Sequence, residues 1–317
     1  MEQQTELSEA EIAVHWQEEN YYHPPEKFIA QANLADKSVY ERFSLNHFPA
    51  CFNEYADLLD WYKRWDVTLD TSNAPFWKWY VGGKLNASFN CVDRHLPKYK
   101  NKTAIHFVPE LESEPTQHIT YQELYIRVNE FAALLRDFCG LKAGDRATLH
   151  MPMVPELPIA MLACARLGVI HSQVFSGFSG KACADRIVDS ASRVLITMDA
   201  YYRSGSLQDQ KEKADIAAED AAEQGRPVEK VLIWQRHPGK YLSANPVTHG
   251  RDYIVNDLLA SHRGKRVEPE AMPSEALTLT PRGVATGLGP PAIFKTSVPE
   301  NPRTSKTLPV APVRTAF

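Results

Sequence analysis

The chain has 317 residues, of which 44% are hydrophobic and 23% charged, with a formal net charge of -4. That length can bury a large core in one large or two smaller domains, and the slightly acidic balance gives no global attraction to nucleic acid. Five cysteines, odd in number, scattered and without C-x-x-C spacing, argue against a disulfide framework and for reduced core thiols in the cytoplasm.

The first residues, MEQQTELSEAEI, are polar and acidic, unlike a secretory leader. Ser8 and Glu11 have capping-box spacing, so a helix carrying Ile12, Val14 and Trp16 is expected before Pro24-Pro25 breaks it. A second helix is predicted over 54–66, with Tyr55, Leu58, Leu59, Tyr62 and Trp65 as its apolar positions. The stretch from Trp61 to Tyr80 is dense in aromatics, with only Lys63, Arg64 and Lys78 between them. It therefore reads as an arm packed by aromatic area, not as a base-stacking platform. Gly82-Gly83 marks a turn, Asn86 caps a helix running to His95, and Thr103 to Val108 alternates like a strand.

Thr120 and Glu123 form another capping box, followed by Leu124, Val128, Phe131, Leu135 and Phe138, with Gly140 as the stop. The turn 142–145 then leads into the segment around which the fold is organised. A strand at 147–151 is followed by a helix opened by Pro155 and closed by Gly168, with Leu157, Ala160, Met161, Cys164 and Leu167 on one face. A strand at 169–175, a turn at 176–180, a helix at 181–191 and a strand at 194–198 complete two crossovers. Such crossovers force parallel pairing with right-handed connections, so the domain is α/β and its ligands belong at the carboxyl ends of the strands. The apolar run near 157–170 is short and interrupted by Arg166, which excludes a membrane span there. A charged surface helix over 207–224, a strand at 230–234 and a short helix over 253–262 follow. Residues 276–317 hold dense prolines, one acid and five basic residues without periodicity, and are expected to be a disordered tail.

Asp185, Arg186, Asp189 and Arg193 have the spacing of surface ion pairs on a helix. His171 sits within an apolar strand as a core residue. His95, His106 and His150 are far apart with no Cys or carboxylate at ligand spacing, so no zinc site is expected. GxxxxGK[ST], GxGxxG and GxSxG are all absent.

One collinear set of segments is specific: APFWKWYVGGKLN (74–86), NCVDRHL (90–96), CGLKAGDRATLHMPMVPELPIAMLACARLG (139–168), HSQVFSGFSGKACADRIVDSASRVLIT (171–197) and Tyr202-Arg203-Ser204-Gly205. Over roughly 10–275 the chain resembles the AMP-forming acetyl-CoA synthetases and their acyl-CoA synthetase relatives, and after about Glu275 the resemblance stops. The resemblance implies an acetyl-CoA-synthetase-type region at 1–100, an incomplete adenylate-forming α/β domain at 101–275, and a tail at 276–317. It also implies a parent reaction in which acetate, ATP and CoA give acetyl-CoA, AMP and diphosphate, with Mg²⁺ serving the full-length enzyme.

Within that family a Ser/Thr/Gly-rich loop ending in lysine holds the triphosphate. Thr286-Gly-Leu-Gly-Pro290 lacks both the hydroxyl cluster and the lysine. The expectation is therefore a truncated ligase with little or no activity of its own. The rival readings are a non-catalytic CoA- or nucleotide-binding module, pairing with a chain that carries the missing half, and a frameshifted product without function. The resemblance places Phe175, Ser176 and Gly177 against the CoA nucleotide, and Arg203 with Ser206 toward its phosphates. Two positions depart from the family: many relatives carry glycine where Ser176 stands and a second basic residue where Ser206 stands.

Overall fold

A computed structural model describes residues 23–32, 36, 38–238 and 246–276. The helix expected from Ser8 and the tail beyond residue 276 lie outside them. The described residues fall into two compact units, divided between Asp60 and Trp61.

In the first unit, α1 (Glu26–Ile29), α2 (Ser38–Arg42) and α3 (Asn53–Ala56) are short helices. Phe43 packs at 5.2 Å from Tyr55 and edge-on at 5.9 Å from Phe52. The helix predicted over 54–66 is confined to α3. Its end tightens into i→i+3 bonds from Leu58 to Tyr55 and from Leu59 to Ala56, and Leu58 stays 65% exposed. Residues 61–66 belong to the second unit, where non-local strand pairing overrides helical propensity. Tyr62 donates to the carbonyl of Lys84 at 2.8 Å, and Lys63 bridges Lys84.

The second unit opens with β1 (Val67–Asp70) antiparallel to β2 (Lys78–Val81). The aromatic arm packs largely on itself, with Trp65 5.0 Å from Trp61 and 4.9 Å from Tyr80. After β3 (Lys84–Leu85), Asn86 caps α4 (Ala87–Cys91) by accepting from the Phe89 N–H. The Asn86 amide reaches away to donate to the carbonyls of Ala165 and Glu270, each at 2.9 Å. Arg166, also buried, forks onto both oxygens of Asp93 at 2.8 Å and donates through Nε to Val267. These bonds fasten residues 86–93 to the α/β body.

After α5 (Leu96–Tyr99), β4 (Thr103–Phe107) and β5 (Gln117–Thr120) form an antiparallel pair leading into α6 (Tyr121–Asp137). The capping box read from Thr120 and Glu123 is present at the start of α6. Then come β6 (Arg146–Met151), α7 (Glu156–Leu167), β7 (Ile170–Phe175), α8 (Gly180–Ser190) and β8 (Val194–Met198). Gly168 ends α7 in the left-handed conformation, at φ 69°.

Next are β9 (Ala200–Arg203) and β10 (Ser206–Asp209), joined by Ser204 and Gly205, both at positive φ. Such a two-residue turn matches the twist of a hairpin. The surface helix, predicted from 207, starts instead as α9 (Gln210–Glu223), because 207–209 pair in the hairpin and Asp209 is the N-cap. The last elements are β11 (Lys230–Trp234), β12 (Asp252–Ile254), α10 (Val255–Ala260) and β13 (Met272–Pro273), the last antiparallel to β3. The start of the helix predicted over 253–262 is taken by β12, which pairs with β11.

Five strands form one parallel sheet in the order β12-β11-β8-β6-β7. Buried residues of α6 and α7 cover one face together with Leu149, Met151, Ile196, Leu232 and Trp234. The other face is covered by α8 and α9, whose Cys183, Ile187, Ala214, Ala217 and Ala221 pack on Val174, Leu195 and Ile233. A parallel sheet buried on both faces is what the apolar strand runs require. No described helix is long and apolar enough to cross a membrane.

Candidate functional site

At the carboxyl edge of the sheet lies a cavity of about 410 Å³, bordered by the ends of β6 and β7, the start of the β9–β10 hairpin, the residues after β11, and the β4–β5 loop. Phe175, the last residue of β7, is 47% exposed and lines the cavity beside Ser176, which is buried. Arg203 arrives from the end of β9 and sets its guanidinium 5.4 Å from the centre of the Phe175 ring. Gly177 lies directly beneath this pair: a Cβ there would sit 2.8 Å from Arg203 Nη1 and against the Phe175 ring. A side chain there would push the tips of both neighbours aside. Phe178 meets Phe175 edge-on at 6.1 Å, and Arg186 lies over the Phe178 ring at 5.4 Å.

The structure thus gathers Phe175, Ser176, Gly177 and Arg203. Ser206 faces Arg203 in the hairpin register but is exposed and outside the cavity lining. The hairpin tip is pinned from a distant segment, where Glu110 Oε1 accepts from the Gly205 N–H at 2.7 Å.

Other contributors escape sequence reasoning. Asp199, the first residue past β8, is fully buried, and its carboxylate accepts from the N–H groups of Ala200 (2.7 Å), Arg236 (3.0 Å) and His237 (2.7 Å). The Arg236 side chain bonds Glu156 at 3.2 Å and lies over the Phe107 ring at 5.1 Å. His237 packs edge-on against Tyr202 at 5.4 Å. The available signal was positional: each of these residues follows the end of a parallel strand, where ligands of α/β sheets bind.

Burial dominates the titration behaviour here. His150, at the end of β6, is fully buried and pushed down to about 4 by burial, with the Lys213 charge adding to it. His171 is driven to about 4 by burial alone. The thiols of Cys139, Cys164 and Cys183 are pushed up to about 12 by burial, which keeps them protonated and unreactive. Among the described residues no cluster of three His, Cys, Asp or Glu side chains is placed to hold a metal ion. What the site offers is an aromatic face for a planar base and a guanidinium fork for phosphate, on backbone cleared by a glycine.

Comparison with known proteins gives a consistent result. Residues 92–275 match the family of AMP-binding enzymes, and residues 37–91 match the acetyl-coenzyme A synthetase N-terminus. The acetyl-coenzyme A synthetase of Pyrobaculum aerophilum is 44% identical over 243 residues, covering 74% of this chain and 35% of its own length. That of Wolinella succinogenes is 40% identical over 258 residues, covering 80% of this chain and 38% of its own length. The 3-hydroxypropionyl-coenzyme A synthetase of Sulfurisphaera tokodaii is 43% identical over 258 residues, covering 78% and 37%. Among solved structures, the acetoacetyl-CoA synthetase from Streptomyces lividans superposes with a TM-score of 0.63 at 21% identity, covering 79% of this chain and 36% of that one, which shows a shared fold. The chain spans little more than a third of the length of these curated relatives.

Proposed function

The chain belongs to the AMP-binding enzymes, and from that premise we propose that it supplies the thiol-substrate side of an AMP-forming acetate–CoA ligation. In the parent reaction a carboxylate attacks the α-phosphate of ATP, releasing diphosphate and forming an acyl-adenylate. The CoA thiol then attacks the acyl carbon, with AMP as leaving group. The observation that carries the assignment is the stack of Arg203 over Phe175 with Gly177 cleared beneath it, at the carboxyl edge of the sheet. CoA presents an adenine for the Phe175 face and phosphates for the Arg203 fork, with Ser206 at the margin.

The ATP and Mg²⁺ of the parent reaction are assigned to no residue described here. The sequence offers no hydroxyl- and glycine-rich loop ending in lysine, so this polypeptide by itself is expected to bind CoA and turn over little, with a second chain able to complete it. The domain division at about residues 100 and 275 remains part of this reading, supported by the family matches over 37–91 and 92–275. So does a cytoplasmic location, supported by the buried thiols.

Two measurements test the proposal: calorimetric titration with CoA, and acetate-, ATP- and CoA-dependent release of AMP. Binding heat with little AMP release is expected. No heat at millimolar CoA would remove the assignment of the site, and robust turnover would show that the triphosphate grip has been overlooked.

A further inference from the structure

The loop that carries Phe175, Ser176 and Gly177 is held from its far side by a cation that sequence reading did not single out. Lys213, in the first turn of α9, donates through Nζ to the carbonyl of Ser176 at 2.9 Å. The ammonium also lies 5.9 Å from the centre of the Tyr201 ring. Ser176 is buried, so its carbonyl needs a donor, and a charged one makes the stronger bond. The backbone bearing Lys213 is itself fixed against the loop's own helix: a Cβ on Gly180 would lie 2.6 Å from the Lys213 carbonyl oxygen. On the same side His150 is fully buried. Lys213 is outside the cavity lining, whereas Phe175, Ser176 and Arg203 are part of it.

Resting on the CoA reading above, we propose that Lys213 is a positioning residue: its bond to the Ser176 carbonyl sets the turn that keeps Gly177 open beneath Arg203 and Phe175. It acts through the loop and does not touch the ligand.

The test uses the full chain, isothermal titration with CoA at several salt concentrations, and amide resonances of Ser176 and Gly177. Lys213→Met should weaken CoA binding about tenfold, the effect of losing one charge-assisted hydrogen bond, while Lys213→Arg stays within about twofold of the native chain. The Gly177 amide should move in Lys213→Met and return in Lys213→Arg. The salt dependence of affinity should be native in Lys213→Met and flattened in Arg203→Met, since only the second removes a charge that meets the phosphates. A Lys213→Met chain that binds CoA as the native chain does overturns the inference alone. A flattened salt dependence in Lys213→Met overturns it in favour of direct contact. Absence of CoA binding by the native chain defeats both the inference and the reading beneath it. If Lys213→Met does not fold, Lys213→Ala, which likewise removes the donor, is scored against the same outcomes.

Discussion

Replacing Gly177 with alanine isolates the close approach on which the site depends. The new Cβ would lie 2.8 Å from Arg203 Nη1, where ordinary contact begins at 3.4 Å. The guanidinium must therefore retreat by about 0.6 Å (3.4 - 2.8), and the Phe175 ring must turn away with it. Gly177 is not in the positive-φ region, so alanine strains no backbone there. Phe175 is half exposed, so its displacement opens no core cavity. Folding stability should change by no more than about 0.5 kcal/mol. CoA binding should lose part of one charge-assisted bond, about 1 kcal/mol, or roughly fivefold in Kd. Calorimetry on Gly177→Ala, Arg203→Met and the double variant measures this, with thermal unfolding as control. If the alanine acts through Arg203, the double variant binds no worse than Arg203→Met. Native CoA affinity in Gly177→Ala, or losses that simply add in the double variant, would refute the argument.

Three further outcomes follow from the same structure. His150 and His171 are held near 4 against an ordinary 6.5; because their folded values are depressed, their contribution to stability is full above about pH 6.5 and is lost as pH falls toward 4. The loss should approach about 3 kcal/mol for each residue. Urea unfolding at stepped pH checks it, and His171→Leu with an undiminished slope would contradict it. Arg166→Met strands Asp93 with a largely buried carboxylate and frees the Val267 carbonyl, so a destabilisation of about 3 kcal/mol is expected by chemical denaturation, and an unchanged midpoint would dismiss the role given to this ion pair. Ser206→Arg places a second cation opposite Arg203 in the hairpin register, and should tighten CoA several-fold at low salt with a steeper salt dependence. Weaker binding would mean that the hairpin does not face the phosphates.

The central crossovers were legible because their signals are local. Leu157, Ala160, Cys164 and Leu167 repeat on one helical face, Gly168 supplies the left-handed stop, and the box of Thr120 and Glu123 starts its helix in the residues themselves. Where non-local pairing decides, the sequence misled. Residues 61–66 carry a helical apolar pattern but are captured by Lys84, and Leu207 joins Tyr202 in a ladder before its helix begins. In the site, Phe175, Gly177 and Arg203 were reached through resemblance to a family, not through spacing. Asp199, Arg236 and His237 could not be: their bonds span 37 and 38 positions of chain, and only the parallel order of β8 beside β11 brings them together.

Asp199 has a further consequence. By bonding backbone donors that follow β8 and β11, this carboxylate ties the two strand ends together in the folded chain itself. An incoming molecule then meets a mould already set, and the entropy of immobilising those walls does not count against its affinity.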